Sequence, residues 1–493
     1  MNKGKLLLSK HFEENNLVQS DIENYNDFID HRLQSLVSKH KDIEPTILPD
    51  EIDEYHIDFE EISVLKPTIT EADGSTRELL PSEARLRGIS YTAPILLNVT
   101  SYVDGEEKES FQTQIGEMPI MLKSKKCHLS NMSREELLEA GEDPDDAGGY
   151  FVINGTEKVI VGVEDLAANR FGVDPQRTGA ADYIGKIYSE QGSYKIPHKI
   201  MKRRDELFYI SFTRVKKVPF VILVKALGLL EDQEIMNHVG LEDSSDLFVN
   251  LLAFSDVQSR EEAVDFIAKK MKITQAKEAR IERVEDLLDK YLLPHLGLGE
   301  ENRQRKAVNL CKYLRQYIKV LNGSLDTTDK DHYGNKRIKL SGDLLEDLFQ
   351  VNLKTLVGDL TYNFQRIVKR GKFPKAKTII REKLLTQRIK SAMATGNWVG
   401  GRSGISQRVE RVNYVAMISA LQRVVSPLSS SQENFGARAL HPTHMGRLCM
   451  TETPEGPNIG LRKNLALLTK ITRDINEEDL INELEDIGLQ VEV

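Results

Sequence analysis

The residues best able to do chemistry gather near the end of the chain. His441-Pro442-Thr443-His444 sets two histidines three positions apart, but Pro442 breaks a helical register and no Cys or carboxylate stands beside them at metal-ligand spacing. Gly396, Gly400, Gly401 and Gly404 could cradle a phosphate, yet no Gly-Lys-Ser/Thr follows, so this is not a nucleotide-binding P-loop. Asp329, Asp331 and His332 could hold a hard cation, but they read better as an acid-rich turn before a helix capped by Asp343. No serine sits in a nucleophile elbow. No Asp-x-Asp-x-Asp cluster is present to bind the two metal ions of nucleotidyl transfer. These residues make no catalytic centre and no metal site within the chain.

Charge offers a different chemistry. Residues 366–473 carry 20 Lys/Arg against five acids, and residues 474–493 carry eight acids and no base, inside a chain of net charge −9. Such a block reads either as a phosphate-facing groove or as a solvated face. Arg402, Arg408, Arg411, Arg423, Arg438, Arg447, Arg462 and Lys463 are spread over several elements, so only a folded groove would unite them. Aromatics are scarce there (Trp398, Tyr414, Phe435), which argues against base stacking. A smaller basic cluster (Lys195, Lys199, Lys202, Arg203, Arg204, Arg214, Lys216, Lys217) brackets the strand-like run 207–212 and reads as the lysine guard of an edge strand.

The chain is long enough to support such sites. Its 493 residues, 40% hydrophobic and 29% charged, exclude wholesale disorder, collagen and coiled coil. At about 150 residues per domain the length predicts roughly three domains. Three cysteines without a Cys-x-x-Cys write neither a disulfide framework nor a zinc knuckle, as expected for a reducing compartment. The longest apolar stretch, 218–230, contains Lys225 and falls short of the ~20 residues a membrane helix needs. The three leucines near the N-terminus are too few for a signal peptide, so a cytoplasmic protein is expected.

Periodicity predicts a helix over 22–39, capped by Asp21, with Ile22, Tyr25, Phe28, Ile29, Leu33, Leu36 and Val37 on its buried face. Residues 41–61 read as acidic and strand-poor, and 85–102 as β. Ser133-Arg134-Glu135-Glu136 is a capping box. Asn154-Gly155 between apolar runs predicts a tight hairpin. Residues 165–195 lose periodicity, which marks a boundary, and 205–330 read as strands followed by helices. A long helix capped by Asp343 follows, then a basic helix to about 394, a Gly-rich loop over 395–404, a helix over 411–424 and a Ser-rich loop over 426–436. Irregular interleaving of strands and helices makes the fold class α+β and multidomain.

The motifs are also familiar as a set. His441-Pro442-Thr443-His444-Met445-Gly446-Arg447 and Glu452-Thr453-Pro454-Glu455-Gly456-Pro457-Asn458-Ile459-Gly460-Leu461 resemble the fork region of the second-largest, β-type subunit of multisubunit RNA polymerases. Thr395-Gly396-Asn397-Trp398, Gly404-Ile405-Ser406-Gln407, the run from Asp329 to Arg337, Leu292-Leu293-Pro294-His295 and the run from Gly148 to Lys158 match the same family in the same order. The resemblance covers nearly all of 25–469. It implies a protrusion in two segments (1–165 and 330–394), a lobe between them (166–329), a fork (395–473) and the acidic start of an external domain (474–493). It further implies the N-terminal half of a naturally split, archaeal-type β subunit of a DNA-directed RNA polymerase.

By that resemblance, 430–438 is a fork loop where template and non-template strands separate, and Arg438 contacts nucleic acid near the incoming nucleotide. Gln407, Arg423, Glu455 and Asn458 line the RNA and hybrid channel, while Arg402, Arg408 and Arg447 add charge to the groove. The implied partners are the other polymerase subunits, above all the C-terminal half of the β-type subunit and the largest subunit, with template DNA, the RNA–DNA hybrid, and initiation and elongation factors. No cofactor is expected in this chain; Mg²⁺ and zinc are expected in partner subunits. The competing reading is a stand-alone nucleic-acid-binding protein that uses the 366–473 block.

Overall fold

The computed structural model describes residues 3–40, 43–49, 52–176, 181–191, 194–213, 215–240, 245–472 and 477–488. The chain is α+β and folds into two compact units, one of Met1–Asp165 with Arg337–Val493 and one of Leu166–Lys336.

The backbone of the first unit is the 28-residue helix Ser341–Val368, about 42 Å long. It buries Leu344, Leu348, Phe349, Leu353, Leu356, Leu360 and Phe364 on one side. Helix Gln19–Asp27 packs against it and continues through a π turn, Phe28–Arg32, into Leu33–Val37. All seven apolar residues expected on that helix face are buried, and the Phe28 and Phe349 rings meet edge-on at 6.4 Å.

The expected caps are rearranged. Val18, not Asp21, occupies the N-cap of the Gln19–Asp27 helix. The Asp21 carboxylate instead accepts hydrogen bonds from Ser341 N (3.0 Å) and Oγ (2.6 Å), so it caps the long helix 320 residues away. Asp343 lies inside that helix and accepts from Leu340 N at 2.9 Å. Sequence alone shows a good capping residue but not which helix start the tertiary fold will bring to it.

The Asp21 residue keeps some surface, but its carboxyl group is enclosed, and this burial lifts its pKa to about 6 against the Ser341 hydrogen bonds. The folded value lies above the ordinary 3.8. The folded chain therefore binds more protons between those values, and stability falls as pH rises through that window. Asp21→Asn keeps an acceptor for Ser341 and removes the charge. It should flatten the fall, by about 2 kcal/mol across the window, in urea unfolding followed by fluorescence of the sole tryptophan, Trp398. An unchanged pH profile would show that Asp21 is not its source.

A three-stranded antiparallel sheet, Tyr55–Val64, Thr92–Val103 and Glu106–Pro119 with the second in the middle, completes the core. Two expectations change here. The acidic stretch 41–61 ends in a strand, because Asp58, Glu60 and Glu61 lie off the buried face that Tyr55, Ile57 and Phe59 occupy. Residues 85–102 open on the end of helix Pro81–Leu86, and the strand starts only at Thr92. Ser133 caps Arg134–Glu139 with the full reciprocal box. The expected hairpin, Phe151–Ile153 and Thr156–Ile160, turns at Asn154 (φ 49°) and Gly155 (φ 71°). A Cβ on Gly155 would stand 2.7 Å from the Gly88 Cα, so the turn also needs glycine for close packing.

This hairpin receives the C-terminal segment. Ser406–Arg408 adds as a third strand beside Thr156–Ile160. Arg423–Val425 pairs in parallel with Gly162–Leu166 and antiparallel with Arg462–Asn464. The expected 411–424 helix is shorter, Tyr414–Leu421 capped by Asn413, because its last residues enter that strand. The basic helix is Glu382–Thr395. Of the acidic tail, Glu477–Asp486 is helical, and 474–476 and 489–493 lie outside the described residues.

The second unit opens with an antiparallel meander of Gly172–Pro175, Tyr183–Gln191, Tyr194–Lys202, Phe208–Phe212 and Val215–Pro219. The stretch read as aperiodic thus supplies two strands. The 207–212 run is an inner strand and not the expected edge. Val215–Pro219 takes the edge, with Lys216 and Lys217 exposed on it; Arg214 lies outside the described residues. Among the described residues six α-helices follow, from Phe220–Ala226 to Arg303–Leu321. The first is wholly buried, and its Lys225 ammonium donates to the Val257 carbonyl at 3.1 Å. No helix among the described residues is long and apolar enough to cross a membrane.

Candidate nucleic-acid interface

The basic block divides, on folding, into arginines used inside the protein and arginines left at its surface. Arg411 is the clearest of those committed to internal contacts, although its side chain stays 40% exposed. Its Nε donates to Glu157 at 2.7 Å, and its Nη2 to Asp146 (2.9 Å) and the Tyr150 hydroxyl (2.7 Å). From the other side Arg85 reaches Glu157, Glu142 and the same hydroxyl at 2.8–2.9 Å. Burial opposes the charge on both guanidiniums, but Tyr150 and the carboxylates outweigh it and hold both above the usual arginine value. This network pins the strand leading into Tyr414–Leu421 onto the hairpin. The resemblance marks the 148–158 run, but sequence does not show that Arg411 belongs to it. The partners are more than 250 residues apart and each is an ordinary surface residue type.

Lys463 is internal too. It pairs at 2.6 Å with Glu164, and the two side chains are 7% and 2% exposed. Arg402 is tied to Asp347 (3.3 Å) and Asp165 (3.6 Å), which holds the Gly-rich loop against the long helix.

Arg438 has an unusual set of partners. Its Nη1 donates to the Pro457 (2.7 Å) and Ile459 (3.0 Å) carbonyls and its Nη2 to those of Ser430 (2.9 Å) and Gln432 (3.3 Å). One planar guanidinium thus clasps two loops, 430–432 and 457–459, with no carboxylate involved. Gly460 closes the second loop at φ 70°, and a Cβ there would stand 2.2 Å from the Arg438 carbonyl oxygen. Thr453 Oγ1 accepts from Gly460 N at 2.9 Å and donates to Arg462 O at 3.0 Å, fixing the far end. Asn458 sits half-buried in this loop, and Glu455 stands exposed at its tip.

Gln407 and Arg423 are brought together: Arg423 Nη1 donates to Gln407 Oε1 at 3.3 Å, with Glu410 at 3.7 Å. Arg408 follows Gln407 on the same strand, so it faces the opposite side, where it is exposed. Arg447 is exposed and reaches the Thr443 carbonyl at 3.2 Å. No hydrogen bond among the described residues joins Arg408 or Arg447 to the other site residues. His441 and His444 are turn residues: His441 Nδ1 caps Thr443 N at 3.2 Å, and His444 is buried. Asp329 and His332 likewise bond to backbone amides within their own turn, at 2.9 Å each. Among the described residues, no group of three His, Cys, Asp or Glu side chains is placed to hold a metal ion.

Around the clasped loops the surface is apolar as well as charged. Phe435 is 77% exposed, Met445 65%, Leu440 59% and Ile459 49%. So much uncovered apolar surface beside two ordered loops is the mark of an interface.

The sequence matches the family described as RNA polymerase beta subunit over residues 16–387, and that described as RNA polymerase Rpb2, domain 3, over 407–471. It is 41% identical to the DNA-directed RNA polymerase subunit Rpo2N of Methanocaldococcus jannaschii, covering 98% of this chain and 99% of that one. It is 39% identical to the Rpo2N subunit of Methanococcus vannielii over the full length of both. Identity to the DNA-directed RNA polymerase subunit Rpo2 of Saccharolobus solfataricus is 42%, over 98% of this chain but only 43% of the relative. The chain therefore spans less than half the length of some relatives it matches and nearly all of others. Matched along most of its length, and at about 40% identity throughout, the chain belongs to the RNA polymerase beta subunit family.

Proposed function

We propose that the chain works as the N-terminal half of the second-largest subunit of an archaeal-type DNA-directed RNA polymerase. It shapes the DNA cleft and steadies template and RNA–DNA hybrid beside an active centre built by other subunits. The observation that carries this reading is the pair of loops clasped by Arg438, which set Glu455, Asn458 and exposed apolar side chains in a fixed edge. Protrusion and fork would lie in the Met1–Asp165 and Arg337–Val493 unit, and the lobe in the Leu166–Lys336 unit. The exposed apolar residues would be covered by the C-terminal half of the β-type subunit and by the largest subunit. Initiation and elongation factors would bind the assembly, in the cytoplasm. Mg²⁺ and zinc would be held by partner subunits.

Phosphoryl transfer by such an assembly depends on positioning and charge. This chain would supply both through Arg408 and Arg423, whereas Arg402, Arg411 and Lys463 hold the framework. The internal use of these last three weakens the stand-alone alternative, because less of the basic block is free to face phosphate. In enzyme reconstituted with the other subunits, Arg408→Glu and Arg423→Glu should each slow elongation about tenfold with normal subunit incorporation. Removing a phosphate contact should also lower the salt slope of template binding by about one. Wild-type elongation in both variants would end the contact claim, and tight, salt-sensitive DNA binding by the isolated chain would favour the alternative.

A further inference from the structure

The first two strands of the Leu166–Lys336 unit carry a recess with no part in the reading above. Leu166, Ala167 and Phe171 give it an apolar floor, and Arg170, Lys186 and Lys330 ring it. Strand pairing sets Lys186 opposite Gly172, and Asp174 follows two residues on along the same face. Thr328 is bonded in both directions to the Val173 backbone, at 2.9 and 3.0 Å, which holds the segment bearing Lys330 against this strand.

Asp174 is the one carboxylate in the lining, and it is buried. Its Oδ2 receives the Lys330 ammonium at 2.6 Å and the Lys186 ammonium at 3.4 Å. Arg170 is fixed by a hydrogen bond from Nη1 to the Gly334 carbonyl at 3.0 Å. Three cations and one acid among the lining residues give the recess a net positive lining. Like charges so placed repel unless an anion shares them. Two ammoniums and a planar guanidinium are also the donors that match the oxygens of a phosphoryl group.

We propose that this recess binds a phosphoryl group of a small phosphate compound. Its volume of about 120 Å³ leaves room for one phosphate or pyrophosphate. The lysines would neutralise the oxygens, Arg170 would close over them, and Asp174 would keep the two ammoniums in place. A non-phosphate portion of the ligand would lie against Phe171 and Leu166. Lys330 gives the Asp329–Arg337 motif a role as a source of an anion ligand, in place of the cation site considered from its acids.

Titration of the full chain with pyrophosphate, by calorimetry and by ³¹P resonance broadening, tests this. Saturable binding at one site is expected. Arg170→Gln and Lys330→Gln should each weaken it about tenfold, with unchanged circular dichroism, since both side chains stand at the surface. A short DNA duplex should not displace the ligand. No saturable binding, or binding that both substitutions leave intact, would overturn the assignment. Displacement by duplex would show a backbone contact and overturn the small-ligand claim. If either variant misfolds, wild-type competition between pyrophosphate and a nucleoside triphosphate still decides it: mutual exclusion supports the site and independent binding overturns it.

Discussion

Glu164→Ala should destabilise the Met1–Asp165 and Arg337–Val493 unit by about 3–5 kcal/mol, because it breaks a buried ion pair by removing the carboxylate 2.6 Å from the Lys463 ammonium. The pair joins Gly162–Leu166 to Arg462–Asn464, the two strands that flank Arg423–Val425 in its sheet, so it locks the C-terminal segment onto the N-terminal segment. Urea unfolding read by Trp398 fluorescence reports on this unit, since the sole tryptophan is buried in its core. The double substitution Glu164→Leu with Lys463→Met should lose far less, because it removes both desolvated charges. If the single and double variants unfold alike, the pair is not what holds these strands.

The second large effect is local. Arg438→Ala removes four hydrogen bonds to carbonyls at once, and each bond from a charged donor contributes about 1.5–3 kcal/mol. The loss falls on two exposed loops, so it should appear as local opening and not as global unfolding. Limited proteolysis should cut at 430–434 and 456–459, while the Trp398 transition hardly moves. Gly460→Ala attacks the same clasp from the opposite side, through a Cβ at 2.2 Å from the Arg438 carbonyl, and should give the same cleavage pattern. Arg438→Lys should rescue little, because an ammonium lacks the planar fork that spans both loops. In reconstituted polymerase all three should slow elongation more than Arg408→Glu does. Intact loops in the Ala variant would restore Arg438 to the role of a simple nucleic-acid contact.

The two sets of arginines explain why the candidate site was only partly legible. From sequence, Arg408, Arg411, Arg423 and Arg438 are equivalent members of one basic block. In the fold, Arg411 is committed to the Tyr150 network although 40% exposed, Arg438 clasps loops, Arg423 is half-committed to Gln407, and Arg408 is exposed on its strand. Net charge counts all four alike, whereas an electrostatic surface depends on which of them still faces solvent.

What the sequence by itself determined is local chemistry and family. The Ser133 capping box, the Asn154-Gly155 hairpin and the apolar face of Ile22, Tyr25, Phe28 and Leu33 are written within a few residues, where backbone sterics and helical period decide the outcome. The ordered motifs over 441–461 sufficed to assign the RNA polymerase beta subunit family. Only the tertiary structure decided that Asp21 caps a helix 320 residues away, that 207–212 is an inner strand, and that Glu164 meets Lys463. Each of these is a pairing between distant segments. No local preference encodes it, because its energy appears only when both segments are buried together.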